Sequence, residues 1–501
     1  MLALMCAAAR SPIVSTRAGD LRGHDDGGVL SYLGVPYAAP PVGELRFAAP
    51  GPVQPWDGVR DATTYGPTAP KGPYPPGVDA LLPEPVIEGE DCLNLNVWTP
   101  DPGGRRPVLV WIHGGAFVNG SGAVTAYDGS RFARDGVVCV TINYRLGAEG
   151  FLLLDGRPPN RGLLDQVAAL TWVRDNIAAF GGDPDAVTIA GESAGAMSVT
   201  TLTAMPAARG LFRRVIAQSG GGHHAMSATT AAAVTTALAA DLDVTPTAEG
   251  FAGVPVDRLV EAQTALSARI ATQPDPALWG EIVGDSMAFE PCVDGTVLPS
   301  RPIDAMPAST SDIDMLVGSN ADEATLFLVP NGLIDFVTDD LLQMSVAGFG
   351  LDPAAAVAAY RAALPEASPG ELLAAVIRDR TFRIPAVRMA ESRLTSDLPT
   401  YVYEFAWPSP QWDGRLGATH ALEIGFVFDT LDDPSGEPFV GPKPPQHVAD
   451  VMHAAWVAFV TDGDPGWAPY GSDRTVMRFD DTSAVVRDPA PELRQVWTGV
   501  R

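Results

Sequence analysis

The feature that most constrains this chain is a strand that runs without a spacer into a glycine-flanked serine and then into a helix. Val187 to Ala190 is a short apolar run, Gly191-Glu192-Ser193-Ala194-Gly195 follows at once, and an alanine-rich segment comes next. Strand, tight turn and helix within about 15 residues leave little room for side chains at the turn. Gly191 and Gly195 are therefore read as places where two backbones crowd together, with the Ser193 hydroxyl exposed at the apex. A serine hydroxyl is a poor nucleophile until a neighbouring base takes its proton. The turn thus means chemistry only if a base and hydrogen-bond donors from elsewhere in the chain converge on it.

The surrounding sequence alternates strand-like and helix-like segments, as a parallel sheet with crossover helices requires. Pro107–His113 and Gly136–Tyr144 are β-rich apolar runs patterned for burial on both faces, and are expected to be neighbouring central strands. Between Leu163 and Phe180, Leu164, Val167, Leu170, Val173 and Ile177 recur at helical spacing, and Gly181-Gly182-Asp183-Pro184 stops the helix. Further strands are expected at Met315–Gly318 and Thr400–Ala406. The expected architecture is α/β, a large, mostly parallel central sheet flanked by helices, within one domain over residues 1–501. Helical blocks at approximately 223–280 and 328–395 read as insertions covering one end of the sheet. Proline-rich pieces at 64–85 and 434–446 read as surface loops.

Composition removes several classes of function. A formal charge of -27 repels nucleic-acid phosphates and anionic membranes. No uncharged apolar run reaches the ~18 residues of a membrane span. Lysine occurs only at Lys71 and Lys443, to which composition alone assigns no role. Cys6, Cys92, Cys139 and Cys292 show neither metal-ligand spacing nor a disulfide framework, so reduced, buried thiols are expected. The first ten residues lack a basic start and meet Arg10 at once, which favours the cytoplasm over secretion.

His113-Gly114-Gly115-Ala116-Phe117 follows the strand ending at Ile112. Small residues there let a substrate carbonyl approach backbone N–H groups that stabilise a developing oxyanion. A base that follows the serine and an acid in chain order must come late. His447 and His453 lie in or beside the amphipathic stretch Gln446–Val460, where a helix face explains them; His420 sits in the loop Gly417-Ala418-Thr419-His420 and is the candidate base. The stretch Met315–Glu323 ends a strand in a polar turn between Ser193 and His420, and spacing alone does not separate Asp322 from Glu323 as the acid. Adjacent His223 and His224 do not make a metal site, because neighbouring side chains rarely converge on one ion.

These motifs resemble the type-B carboxylesterases, the group that includes the cholinesterases and bacterial p-nitrobenzyl esterases. The resemblance covers nearly the whole chain: GVPYAAPPVGELRF from Gly34, EDCLNLNVW from Glu90, WIHGGAF from Trp111, NYRLGAEGF from Asn143, FGGDPDAVTIAGESAGA from Phe180, GSNADEATLF from Gly318 and GATHALEIGFVF from Gly417. It implies an α/β-hydrolase fold and cofactor-free hydrolysis of small-molecule esters. Ser193 would be the nucleophile, His420 the base and Glu323, second of the D-E pair, the acid. The oxyanion donors would be the N–H groups of Gly115, Ala116 and Ala194. Ser219 and Glu423 would support the histidine; Phe117, His223, Phe289, Leu326 and Phe327 would line the pocket; Arg46 with Glu90 and Arg145 with Asp165 would form buried ion pairs. No metal is implied, and a monomer or homodimer is expected.

Departures narrow the resemblance. The family's secreted members pair the EDCL cysteine with an earlier one, yet residues 14–91 hold none, and the tryptophan of choline-selective members is missing between Ala62 and Asp91. A non-catalytic binding protein of this fold would typically have lost its serine, and all three residues are present. A hydrolase of carbamates, amides, lactones or an ester-bearing natural product could use the same site.

Overall fold

The apolar runs of the sequence form the interior of one large sheet in the computed structural model, which describes residues 12–285, 287–306 and 308–500. In chain order its strands are β1 (His24–Asp25), β2 (Leu30–Pro36), β3 (Asn94–Thr99), β4 (Arg106–Ile112), β5 (Val138–Ile142), β6 (Gly182–Glu192), β7 (Arg214–Gln218), β8 (Asp314–Asn320), β9 (Thr400–Phe405), β10 (Thr475–Phe479) and β11 (Ala484–Arg487). Their spatial order is β11-β10-β9-β8-β7-β6-β4-β5-β3-β2-β1. Every pairing from β5 across to β10 is parallel; β3, β2 and β1 at one edge and β11 at the other are antiparallel. The adjacency expected for the first two apolar runs is present, with Val108 opposite Val138 and Ile112 opposite Ile142.

Strand alternation explains why these runs are apolar throughout. Val108, Val110 and Ile112 of β4 join a core with Leu170 and Val173 of helix α1 (Arg161–Asn176). Leu109 and Trp111 point the other way, into a core with Trp456 and Phe459 of a helix near the C-terminus (Gln446–Asp462). A period of two places successive side chains on opposite faces, and both faces are covered by helices.

Two boundaries differ from the sequence reading. α1 ends at Asn176, passes through one tight turn to Phe180 and is closed by Gly181 at φ +81°. The strand expected from Val187 begins five residues earlier, at Gly182, because Arg106 of β4 takes Gly182 as its register partner.

Beyond the elbow helix α2 (Ala194–Ala204), the expected helical blocks hold α3 (Ala228–Leu242), α4 (Val256–Thr272), α5 (Asp339–Gly348), α6 (Pro353–Ala363), α7 (Pro369–Arg378) and α8 (Ile384–Ser392). The second block has its own small core, in which Leu342, Tyr360, Leu372 and Ile384 pack with Trp497. A π-helical turn, Asp379–Arg383, joins α7 to α8. It is held by Asp379, which accepts from Arg383, Arg378 and the Tyr360 hydroxyl, and whose carboxyl the two guanidiniums keep well below the usual range despite burial.

Of the two expected ion pairs, Arg145–Asp165 is present, bidentate at 2.8 and 2.7 Å and fully enclosed. The other is corrected: Arg46 pairs with Glu149 at 2.8 Å, while Glu90 lies exposed. Arg46 also donates to the carbonyls of Ala252 and Val254, so it ties the body to the start of α4. Cys92, Cys139 and Cys292 are free and buried, and Cys6, like the N-terminal segment read for a leader, lies outside the described residues. Among the described residues no single helix is long and apolar enough to cross a membrane.

Candidate active site

The turn at the end of β6 shows why its flanking residues are glycines. A Cβ on Gly195 would lie 2.0 Å from the Ile112 carbonyl oxygen, and one on Gly191 would lie 2.5 Å from the Gly195 carbonyl carbon. No side chain fits at either position. Ser193 adopts φ +56°, ψ -124°, a conformation costly for a non-glycine residue and held here by its N–H bond to the Gln218 carbonyl at 2.9 Å.

The two carboxylates expected as candidates for the acid follow β8. Glu323, fully buried just after its end, accepts the Asn320 N–H at 2.7 Å through Oε1 and the His420 Nδ1–H at 2.6 Å through Oε2. Asp322 is occupied otherwise, accepting the Ala418 N–H at 2.9 Å and so bracing the loop that carries His420. The alternatives that spacing left open are thus separated by direction: one carboxylate faces the imidazole, the other the loop backbone.

Glu423 accepts from Gln218 Nε2 at 3.0 Å and from Asn320 Nδ2 at 2.7 Å, and the same Asn320 amide donates to the Thr419 carbonyl at 2.7 Å. This network fixes the histidine loop against β7 and β8. Ser219, expected in that support, makes no hydrogen bond through its Oγ among the described residues; the preceding Gln218 does so, positioned by the Trp456 indole N–H at 2.8 Å.

A residue the sequence reading passed over sits inside the serine turn itself. Glu192 places Oε1 3.0 Å from His420 Nε2, on the side of the imidazole opposite Glu323. No hydrogen bond joins Ser193 to His420 among the described residues, although both line the same cavity. Burial, then Glu423 and Glu323, push the Glu192 carboxyl well above its usual range. Burial disfavours the His420 imidazolium, but Glu192 and Glu323 outweigh it and raise its pKa to about 9. A buried pair this close titrates as a unit. A base accepts a proton only when neutral, so a negative charge at Glu192 moves the acid limb of kcat/KM to higher pH. Glu192→Gln is expected to move that limb down by about one pH unit or more, measured with p-nitrophenyl butyrate; an unmoved limb would show Glu192 uncharged across the working range.

The loop after β4 approaches the serine turn closely enough that a Cβ on Gly114 would stand 3.1 Å from Ser193 Cβ. Gly115, Ala116 and Phe117 follow at φ +105°, +53° and +61°. The N–H groups of Gly115, Ala116 and Ala194 donate to no other group of the chain among the described residues. Gly115 and Ala116 line a cavity of about 810 Å³ together with Ser193 and His420.

The walls correct three of the five expected pocket residues. Leu326 and Phe327 line the cavity, but Phe117, His223 and Phe289 do not. The positive φ of Phe117 turns its ring into the core, 5.0 Å from that of Phe151. His223 and Phe289 are buried beside the short bridge between Met226–Ser227 and Cys292–Val293, and Met287 takes the cavity position instead. Phe382, on the π-helical turn, packs tilted against the His420 ring at 4.6 Å, with Phe327 at 5.3 Å. The proline-rich pieces are not merely surface loops: residues 72–75 and 81–84 form one wall, and 435–440 contributes to another. Periodicity carries no signal for such a role, since the first segment has no helix or strand and the second only the single turns Pro434–Gly436 and Glu437–Val440.

An elbow serine at the end of a central parallel strand, a carboxylate-bound histidine and unpaired amides on one cavity define an α/β-hydrolase. Residues 10–494 match the model of the carboxylesterase family, and the chain belongs to that family. It is 40% identical to phenmedipham hydrolase of Pseudarthrobacter oxydans, over 96% of this chain and 97% of that one. It is 38% identical to para-nitrobenzyl esterase of Bacillus subtilis, over 96% and 98%. A crystal structure of the Geobacillus stearothermophilus carboxylesterase superimposes with a TM-score of 0.85 at 37% identity, covering 97% of this chain and 99% of that one. The chain is a carboxylic ester hydrolase.

Proposed function

We propose that hydrolysis proceeds by two-step acyl transfer from Ser193. His420 takes the serine proton as Oγ attacks the ester carbonyl and returns it to the leaving alcohol; water then releases the acid by the same route. Glu323 keeps the Nδ1 proton in place and stabilises the imidazolium, and the N–H groups of Gly115, Ala116 and Ala194 receive the oxyanion. This chemistry needs no cofactor. The observation that carries it is the 2.6 Å contact between His420 Nδ1 and Glu323 on the cavity that Ser193 lines. In attack His420 Nε2 must engage Ser193 Oγ in place of Glu192, which lies 3.0 Å from it.

Among the described residues the cavity walls carry no lysine or arginine, which suits uncharged esters with apolar groups. The relative named for phenmedipham places that compound in the substrate panel beside p-nitrophenyl esters, amides and lactones. The free, buried thiols accord with a reducing cytoplasm. Residues 1–501 act as one domain, as monomer or homodimer, the two helical blocks forming the cover of the cavity.

A fluorophosphonate probe is expected to label one residue per chain, and peptide mapping to place it on Ser193. Labelling elsewhere, or none under conditions in which the protein turns over esters, would sink this reading.

A further inference from the structure

Lys71, one of two lysines in the chain, has a side chain only 1% exposed, and its partner Glu84 only 9%. They lie at the two ends of the proline-rich segment that walls the cavity. Their contacts converge on the far end of the loop that carries Gly115 and Ala116. Lys71 Nζ is 3.0 Å from Glu84 Oε1 and donates to the Gly120 carbonyl at 3.2 Å. Glu84 Oε1 also accepts the Gly120 N–H, and its Oε2 accepts from Asn119 Nδ2 at 3.1 Å. The Asn119 amide donates in turn to the Gly72 carbonyl at 2.6 Å. Both polar groups of the Gly120 backbone are therefore held by one ion pair.

The loop between is strained and needs such an anchor. Ala116 and Phe117 are non-glycine residues at positive φ, a costly conformation that persists only where the surroundings over-determine it. At one end the loop is fixed by β4; within it, the N–H groups of Val118 and Asn119 close onto the Gly115 carbonyl at 3.0 and 2.8 Å. Gly120 also packs tightly on the loop's start, since a Cβ there would lie 2.3 Å from the Gly114 carbonyl oxygen. Fixing Gly120 thus fixes the direction of the Gly115 and Ala116 amides.

We propose that Glu84, paired with Lys71, is a positioning residue for the oxyanion loop, clamping Asn119 and Gly120 so that the Gly115 and Ala116 N–H groups stay aimed at the reacting carbonyl. This rests on the acyl-transfer reading above. Glu84 is itself part of the wall, but its carboxylate is turned onto Asn119 and Gly120, so loss of the clamp acts chiefly where charge develops in the transition state and changes ground-state binding by the apolar walls little. Since removing an oxyanion donor costs about 10²–10³ in kcat, letting two donors drift is expected to cost about 10- to 100-fold.

The test uses full-length Glu84→Gln and the charge-neutral Lys71→Met/Glu84→Gln, each normalised to fluorophosphonate-titrated sites so that misfolded protein does not count. In both, kcat for p-nitrophenyl butyrate is expected to fall by about 10- to 100-fold with KM within about threefold. The affinity for a trifluoromethyl ketone, which forms the tetrahedral adduct, should weaken in parallel. If Glu84→Gln does not fold because it buries Lys71 alone, the double variant carries the same test. Wild-type kcat and ketone affinity per titrated site in a folded variant would overturn the clamp, as would a loss confined to KM. Failure of the wild-type protein to titrate at Ser193 would instead overturn the acyl-transfer reading itself.

Discussion

Replacing Ser193 by alanine is expected to lower kcat for p-nitrophenyl butyrate by about 10⁵- to 10⁶-fold, leaving the fold intact. The magnitude follows from what the hydroxyl does: without it no acyl-enzyme forms, and only the amides and the walls of the cavity remain to assist attack by water. The substitution removes one small oxygen from a turn whose conformation is set by Gly191, Gly195 and the bond to the Gln218 carbonyl, so unfolding cannot account for the loss. Residual activity above about a thousandth of wild type would contradict the assignment. Titration with a fluorophosphonate should go to zero in the same variant.

Glu323→Gln is expected to cost about 10⁴-fold in kcat. The amide is nearly isosteric, yet it can present an N–H to His420 Nδ1, invert the tautomer and place the remaining proton on the nitrogen that must accept one. It also removes the charge that stabilises the imidazolium, at a fully buried position. Asp322→Asn serves as the contrast. Its carboxylate holds the Ala418 N–H and not the imidazole, so the same chemical change one residue away should act through loop stability and spare the pH profile. If the two variants lost activity equally, the histidine's partner would have to be reassigned.

How much of this was legible beforehand divides along the range of the interactions involved. The serine turn could be read because a strand passing straight into a helix through two glycines is a local pattern, although the backbone that crowds Gly195 is that of Ile112 on β4. β4 and β5 could be read because strands buried on both faces must be apolar at every position. That Ser193, His420 and one of two adjacent carboxylates would meet at one place was legible as well, and the structure brings Ser193 and His420 to one cavity with Glu323 against the imidazole.

What tertiary structure decided is which remote groups face one another. Asp322 and Glu323 are neighbours in the chain, but only the path beyond β8 sends one carboxylate to the histidine and the other to its loop. Glu192 lies within the most informative motif, yet its contact with His420 spans more than two hundred residues. Phe117 belongs to the oxyanion loop by sequence and to the core by geometry, because a positive φ reverses its side chain. Arg46 chose Glu149 over Glu90, and Lys71 found Glu84 across a segment with no regular period. Local propensity is set by a residue and its immediate neighbours, and so can be read along the chain. The site is set by distances of about 3 Å between side chains carried on different elements, and those exist only once the sheet and its cover have closed.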